Sequence, residues 1–253
     1  MVALHELVGY TDRLLAADEF ADYSPNGLQV EGRPEVRRLV SGVTASLALI
    51  DAAIAADADA LLVHHGYFWK GEDPRVVGMK RARLAKLLAA DISLLAYHLP
   101  LDAHPDYGNN VQLAKVLDFP VDGRFGTTSG GPDLALWGRL SQPLSGAGLG
   151  EHLAARLGRP PLHVTGGPPV IRTIGWCTGA AQSFIEAAAS NGLDAFISGE
   201  ISEPTVHVAR ECGIHFFAAG HHATERYGPR ALGAHLGAHF GLKHTFVDID
   251  NPA

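Results

Sequence analysis

The sequence predicts an α/β fold: two pseudo-repeated α/β halves with a largely parallel sheet. Three observations predict it. Short apolar runs alternate with helical stretches of about ten to fifteen residues, the alternation that parallel strands with crossover helices require. The alternation lapses in a glycine- and proline-rich middle and then resumes. The second series repeats features of the first in the same order.

The elements follow in turn. The opening stretch, residues 1–20, reads as an amphipathic helix with Leu4, Leu7, Val8, Leu14 and Leu15 on one side. "RLVSGV" (38–43), "ALLVHH" (60–65) and "ISLLAYH" (92–98) read as strands, and "SLALIDAAIAADA" (46–58) and "MKRARLAKLLAAD" (79–91) as the helices between them. "VQLAKVL" (111–117) is helical. After the middle, strands are expected at "VIRTIGWCT" (170–178), "LDAFIS" (193–198), "GIHFFAAG" (213–220) and "KHTFVDID" (243–250), with helices at 181–192, 203–212 and 224–241. The chain therefore reads as one domain over residues 1–253, built from halves 1–124 and 165–253. Residues 125–164 form the connector, in which "DLALWGRL" (133–140) suggests an extra strand and 148–157 a short helix. Within it "GTTSGG" (126–131) offers a phosphate cradle, but no G-K-[ST] follows, and a flexible linker is the better reading.

The halves align without a gap over their first helix and strand. Leu49, Ile50, Asp51, Ala52, Ala53 and Asp59 face Phe184, Ile185, Glu186, Ala187, Ala188 and Asp194. At a different offset, "ISLLAYHLPLD" lies over "IHFFAAGHHATE", setting His98 against His221 and Asp102 against Glu225. Alanine-rich helices resemble one another by chance, so the repeated histidine and acid carry the inference of duplication.

Composition narrows the function classes. The balance of 20 basic against 27 acidic residues gives −7, with no Lys/Arg cluster beyond residues 79–86, which disfavours duplex DNA as a partner. Cys177 and Cys212 are the only cysteines, too few for a disulfide framework, and they point to a reducing cytoplasm. No apolar run is long enough to span a membrane.

In open α/β sheets ligands gather beyond the carboxyl ends of the strands. His64 and His65 close one predicted strand there, His98 and Asp102 follow the next, and His221 and Glu225 follow a strand of the second half. The expected metal site therefore lies at the strand carboxyl ends between the halves. Imidazole nitrogen and carboxylate oxygen together suit Zn, Fe, Mn or Ni, and a bridging carboxylate can hold two ions about 3.5–4 Å apart. The i to i+4 spacing places His221 and Glu225 on one helix face and favours His221 over His222 as ligand. Adjacent strand residues point oppositely, so His64 and His65 serve different ions only if the chain turns, which Gly66 permits. Glu200 stands where His65 stands in the first half; it is either a base behind the ligands or the acid at the start of the next helix. Tyr107, Asn109 and Asn110 are either substrate contacts or a turn and helix cap. His5, His152, His163, His207, His235, His239 and His244 fit surface or capping roles, while His104 and His215 stay open.

"NGLQVEG", "LLVHHGYFWKG", "YHLPLDAHPDYGNN", "SGEISEPTVH" and "AAGHHATERYG" resemble the signatures of the GTP cyclohydrolase 1 type 2 homologue family, the Nif-like dinuclear metal centre hexameric proteins. The resemblance runs from about residue 20 to the carboxyl end and is to the short form, without an inserted domain. It implies a ring-shaped homohexamer with two divalent metal ions per subunit. The ligands it implies are His64, His65, Asp102, His221 and Glu225, with Glu225 bridging, and His98 near enough to be an auxiliary ligand or proton carrier. It further implies a metal-dependent hydrolase acting on a nucleotide or related heterocycle, with GTP ring opening as the specific version and His98 or Glu200 moving protons. The alternative is a metal-containing ring without catalysis, serving as scaffold, regulator or metallochaperone.

Overall fold

The computed structural model describes residues 1–127 and 131–253, so the core of "GTTSGG", residues 128–130, lies outside the described residues. The chain divides into two compact units, Met1–Gly108 with Gly228–Asp250, and Asn109–Tyr227 with Asn251–Ala253.

In unit 1 the chain runs β1 (Val2–Ala3), α1 (Leu4–Leu15), β2 (Gly27–Val30), β3 (Glu35–Val36), β4 (Arg38–Thr44), α2 (Leu47–Ala55), β5 (Ala60–His65), α3 (Gly78–Ala90), β6 (Ser93–Ala96) and α4 (Leu99–Ala103). The predicted amphipathic opening is helical but shorter than 1–20: Ala16 turns left-handed (φ 48°) and ends it. Leu4, Leu7 and Leu15 are buried as the pattern demands. The Ser46 hydroxyl accepts from the Leu49 amide and starts α2.

Unit 2 holds α5 (Asn109–Leu117), β7 (Gly123–Thr127), β8 (Asp133–Leu144), α6 (Gly146–Leu157), β9 (Leu162–Val164), β10 (Ile171–Cys177), α7 (Ile185–Ser190), β11 (Ala195–Ser198), α8 (Glu203–Glu211), β12 (His215–Ala218) and α9 (His221–Glu225). Its sheet runs β7-β8-β10-β11-β12-β9. The central β10-β11-β12 ribbon is parallel and the flanking strands are antiparallel. Residues 125–164 are therefore not a plain connector. The strand expected at 133–140 extends to Leu144, and the expected helix starts at Gly146, where the Ser145 hydroxyl caps it. Leu149, Leu153 and Leu157 of that helix bury in the same core as Trp176 and Phe217, and this burial outweighs the turn-forming composition.

The chain then returns to unit 1 with α10 (Tyr227–Phe240) and β13 (Lys243–Phe246). The helix predicted over 224–241 is thus two helices, broken at Arg226. The unit 1 sheet runs β13-β4-β5-β6-β2, parallel except for β2. Unit boundaries fall at residues 108/109 and 227/228 rather than at 124 and 165 because each long helix after a third strand packs away from the strand it follows. Leu113 and Leu117 of α5 bury with Trp176, and Leu232 and Leu236 of α10 bury with Leu7 and Leu39.

The two frames share an anchoring device. In unit 1 one oxygen of Asp59 accepts from the backbone N–H groups of Arg37 (2.8 Å) and Arg38 (2.9 Å). In unit 2 one oxygen of Asp194 accepts from Arg172 (2.8 Å) and Thr173 (2.9 Å). The registers Leu39 to Ala60 and Ile174 to Ala195 match as well. Asp59 and Asp194 are the acids that the gapless alignment superposes, so the repeat is a repeat of structure.

Candidate metal centre

In unit 1, β5 delivers His64, fully buried, and His65. The chain does not turn at Gly66 through an unusual φ; glycine is needed for space. A Cβ there would sit 2.1 Å from the Gln29 side-chain oxygen and 2.6 Å from the Ala96 Cβ. The two imidazoles do not diverge onto opposite faces, since their ring centroids are 4.5 Å apart. His98 follows β6 at the N-cap of α4, with its ring 5.0 Å from that of His64. The ligand atoms of His64, His65 and His98 all lie within 4.8 Å of one another. Asp102, one turn into α4, places a carboxylate oxygen 3.5 Å from His64 Nε2.

Each of these imidazoles is fixed through its other nitrogen. His64 Nδ1 lies 2.9 Å from the Tyr97 carbonyl, His65 Nδ1 3.2 Å from Thr44 Oγ1, and His98 Nδ1 2.7 Å from Asp22 Oδ1. A carbonyl only accepts, so His64 carries a proton on Nδ1 and points Nε2 toward Asp102. Asp22 also accepts from the amides of Tyr23 (2.6 Å) and Leu99 (2.9 Å) and from the Asn26 side chain (2.9 Å). Burial pushes the Asp22 pKa up, but the hydrogen bond and charge of His98, with those of Asn26 and Leu99, hold it below the usual carboxylate value. Asn26 Oδ1 in turn accepts from the His98 amide.

In unit 2, β12 ends at Ala218, and Gly220 (φ 103°) swings the chain into the five-residue helix α9. His221 Nε2 and Glu225 Oε2 are 3.0 Å apart, and His221 Nδ1 lies 2.6 Å from Glu200 Oε1. The i to i+4 pairing expected from the sequence is therefore formed. Burial disfavours the charged form of His221, but the hydrogen bonds and charges of Glu225 and then Glu200 outweigh it and raise the pKa to about 9. A buried carboxylate requires a compensating cation, and in this half the proton of His221 fills that part. Gly179 (φ 66°) makes the approach possible: a Cβ there would lie 2.0 Å from Glu225 Oε1 and 3.1 Å from His221 Nε2. Its amide donates to Thr224 Oγ1.

The donor set fits a divalent transition-metal ion. It combines imidazole nitrogens with buried carboxylates, and each ring is held by an oxygen behind it, the arrangement that orients metal-ligating histidine. Glu200 sits behind His221 rather than merely starting α8. Asp22, Asn26, Thr44 and Gly179 were missed from sequence. For Asp22 the only signal was its place in the turn-forming "DYSPNG" stretch.

The remaining candidates settle elsewhere. Asn110 is a buried tie: its side chain donates to the Leu134 carbonyl and accepts from the Thr178 amide. Asn109 is fully buried in the first turn of α5. The Tyr107 hydroxyl meets His235 Nδ1 at 2.9 Å. His104 Nδ1 accepts two backbone amides of its own turn. His215 bonds the Pro168 carbonyl and His163, away from α9. His222, next to the ligand-like His221, is buried, and its amide donates to the Ala253 carbonyl. No helix among the described residues is long and apolar enough to cross a membrane.

Comparison with known proteins bears on the same chain length. The model of Duf34/NIF3 (NGG1p interacting factor 3) matches residues 2–252. A Pseudomonas aeruginosa protein named GTP cyclohydrolase 1 type 2 homolog is 60% identical over 253 residues, covering 100% of this chain and 99% of that one. Among solved structures, protein ybgI, described as of unknown function, superposes with a TM-score of 0.95 at 52% identity, with both chains fully covered. TTHA1606 from Thermus thermophilus superposes at 0.89 and 34% identity, again over both whole chains.

Proposed function

Because this chain belongs to the Duf34/NIF3 family, whose members include proteins named GTP cyclohydrolase 1 type 2 homolog, we propose that it is a dinuclear metal-dependent hydrolase of a nucleotide or related heterocycle. The observation that carries the reading is the set of anchored imidazoles. His64, His65, His98 and His221 each have Nδ1 held by an oxygen. Their Nε2 atoms and the carboxylates of Asp102 and Glu225 are the donors a divalent transition-metal ion takes. The residues that would hold two divalent ions are His64, His65, Asp102, His221 and Glu225.

When bound, two such ions supply Lewis acidity and lower the pKa of water toward neutrality. The chain's own residues do the rest. Asp102 and Glu225 balance the added charge. Asp22 and Glu200 keep the rings of His98 and His221 in one orientation, so that no rotational freedom is lost when substrate arrives. His98, facing the ligands from the Asp22 side, is the proton carrier at the substrate. GTP ring opening is the specific reaction, carried out by a homohexamer in the cytoplasm.

Metal-loaded protein is to be assayed against nucleoside triphosphates, with metal content measured by elemental analysis and mass by light scattering. Turnover that vanishes in His65→Ala and Glu225→Ala, with a mass six times that of the chain, is the expected result. Equal turnover in those variants removes the enzyme reading as drawn. Two ions and a hexamer with no turnover favour a scaffold or metal carrier.

A further inference from the structure

Beside the imidazoles of unit 1 lies a cavity of about 680 Å³, within the range that takes a small organic ligand. Arg13, Asp18, Phe20, Tyr23, Phe68 and Lys70 line it, and Asp22 and Asn26, the residues that orient His98, form part of its wall. Three features set this recess apart from the rest of the surface.

First, the exposed large apolar side chains of the described residues include only two aromatic ones, Tyr23 and Phe68, at 53% and 38% exposure, and both face this cavity. Aromatic rings left in water are costly unless a ligand covers them part of the time.

Second, Phe68 is left-handed, with φ 65°. That conformation disfavours a bulky side chain, and it survives here because its neighbours hold it. Gln29 bonds both polar backbone groups of Tyr67, and the Lys70 amide donates to the Tyr23 carbonyl at 2.6 Å. Backbone strain of this kind, kept against the intrinsic preference, marks a residue whose side-chain position matters.

Third, the segment faces two ways. Trp69, between Phe68 and Lys70, sets its ring edge-on to His98 at 5.0 Å and lies 6.0 Å from that of His65. Tyr23 meets His98 from another side at 6.4 Å. Aromatic surface therefore leads from the cavity to the imidazoles. Arg13 and Lys70 in the cavity wall are in no ion pair among the described residues and present their charge to the recess.

We propose that this recess binds a planar nitrogen heterocycle carrying an anionic substituent, with the ring stacked at Tyr23 and Phe68. The anionic group rests on Arg13 and Lys70, and ring N–H groups donate to Asp18. The ring edge then faces the Trp69 side, nearest His98 and His65. This rests on the hydrolase reading for its ligand class and adds the subsite that selects the ligand.

The test uses the full-length metal-loaded protein and calorimetric titration with GTP, guanosine and inorganic triphosphate. GTP is expected to bind more tightly than guanosine, and triphosphate most weakly. Tyr23→Ala and Phe68→Ala should each weaken GTP binding about 10-fold, the scale of a lost base–aromatic stack. Lys70→Ala should weaken GTP and leave guanosine unchanged. Phe68→Gly provides a reading that a structural role would not give: relief of the left-handed strain should raise the thermal midpoint while GTP affinity falls. Metal content should stay at the unmutated level throughout.

GTP affinity unchanged in both aromatic variants overturns the proposal, as does triphosphate binding as tightly as GTP. A changed oligomeric mass in Tyr23→Ala or Phe68→Ala with GTP binding intact also overturns it, and assigns these rings to contacts between copies. GTP binding that depends on Tyr23 and Phe68 without turnover supports the subsite and removes the cyclohydrolase activity. Turnover untouched by these variants does the reverse.

Discussion

The strand ends of the two units are built on one frame and carry opposite chemistry. In the gapless register His64 stands against Gly199 and His65 against Glu200; after the extra residue Gly220, His98 stands against His221 and Asp102 against Glu225. Unit 1 gathers three imidazoles with two carboxylates, Asp102 near His64 and Asp22 behind His98. Unit 2 sets one imidazole between two carboxylates. Gly199 leaves no room for a counterpart of His64, since a Cβ there would be 2.7 Å from both the Gly179 carbonyl and the His221 Cα. A duplicated frame thus kept its strands and its Asp59 or Asp194 anchor while changing the polar groups at its strand ends, with imidazole predominating in unit 1 and carboxylate in unit 2.

The comparison breaks most visibly at Gly179. Gly179→Ala should remove unit 2's contribution outright, because the new methyl occupies the position of Glu225 and strains a left-handed backbone. Metal content is expected to fall close to zero, with a loss of about 2–4 kcal/mol in urea denaturation. Gly192→Ala is the control: φ is 69° but nothing lies within 4 Å of the added Cβ, so about 1 kcal/mol of strain and full metal content are expected. Equal effects from the two substitutions would show that backbone strain, not the crowding of Glu225, is responsible.

Glu225→Gln should come next, lowering the proposed two ions per subunit to one or none by elemental analysis. The metal-free protein offers a companion measurement. His221 is held up at about 9 against an ordinary 6.5, so its stabilisation is complete below about pH 6.5 and is lost as the pH rises through 9. That loss should shrink in Glu225→Gln, where Glu200 alone still raises the His221 pKa, and disappear in metal-loaded protein, as read from thermal midpoints across pH 6 to 10. A metal-free protein equally stable at both ends would remove the His221 and Glu225 pair from the account.

Asp22→Asn and Glu200→Gln test the oxygens behind the rings, one in each unit. Each should cost about 10-fold to 100-fold in metal affinity with the fold intact, as measured by competition with a chelator. A difference between them would show which unit depends more on orientation.

The smallest effect is expected at the shared anchor. Asp59→Asn and Asp194→Asn should each destabilise by about 1–2 kcal/mol through the two backbone amides each carboxylate binds. Burial pushes the Asp59 pKa up, but the Arg37 and Arg38 amides and Arg33 bring it below 3.8. Its contribution is therefore present above about pH 4 and lost as the pH falls further. Urea midpoints at pH 7 and pH 3 should converge between Asp59→Asn and the unmodified protein at the lower value.

Much of this frame was legible because the core strands are short apolar runs and the ligands close them. Leu61, Leu62 and Val63 lead directly into His64 and His65, and the His221 to Glu225 spacing needs only one helical turn. Glu200 was legible through the repeat. Asp22 was not: it lies 76 residues from His98 and is brought there by a turn that no periodicity marks. Residues 125–164 misled because glycine and proline frequency reports local turn chemistry, whereas β8 is fixed by its non-local pairing with β10. The unit boundary was illegible for a related reason. Nothing in the sequence of α5 says which sheet its Leu113 and Leu117 will cover.

The return of the chain to unit 1 has a consequence for its birth. β13 pairs with β4, Lys243 opposite Arg38, so the edge of β4 stays open until the last residues are made. At about 5–20 residues per second, the interval is on the order of 10 to 40 s. Throughout it a nascent chain exposes an unpaired, valine-containing strand edge, the usual template for mispairing between neighbours on one message. Unit 2, contiguous from residue 109 to 227 but for its last three residues, can close first. Synthesis thus completes the strands of unit 2 before the open edge of β4 in unit 1 is covered.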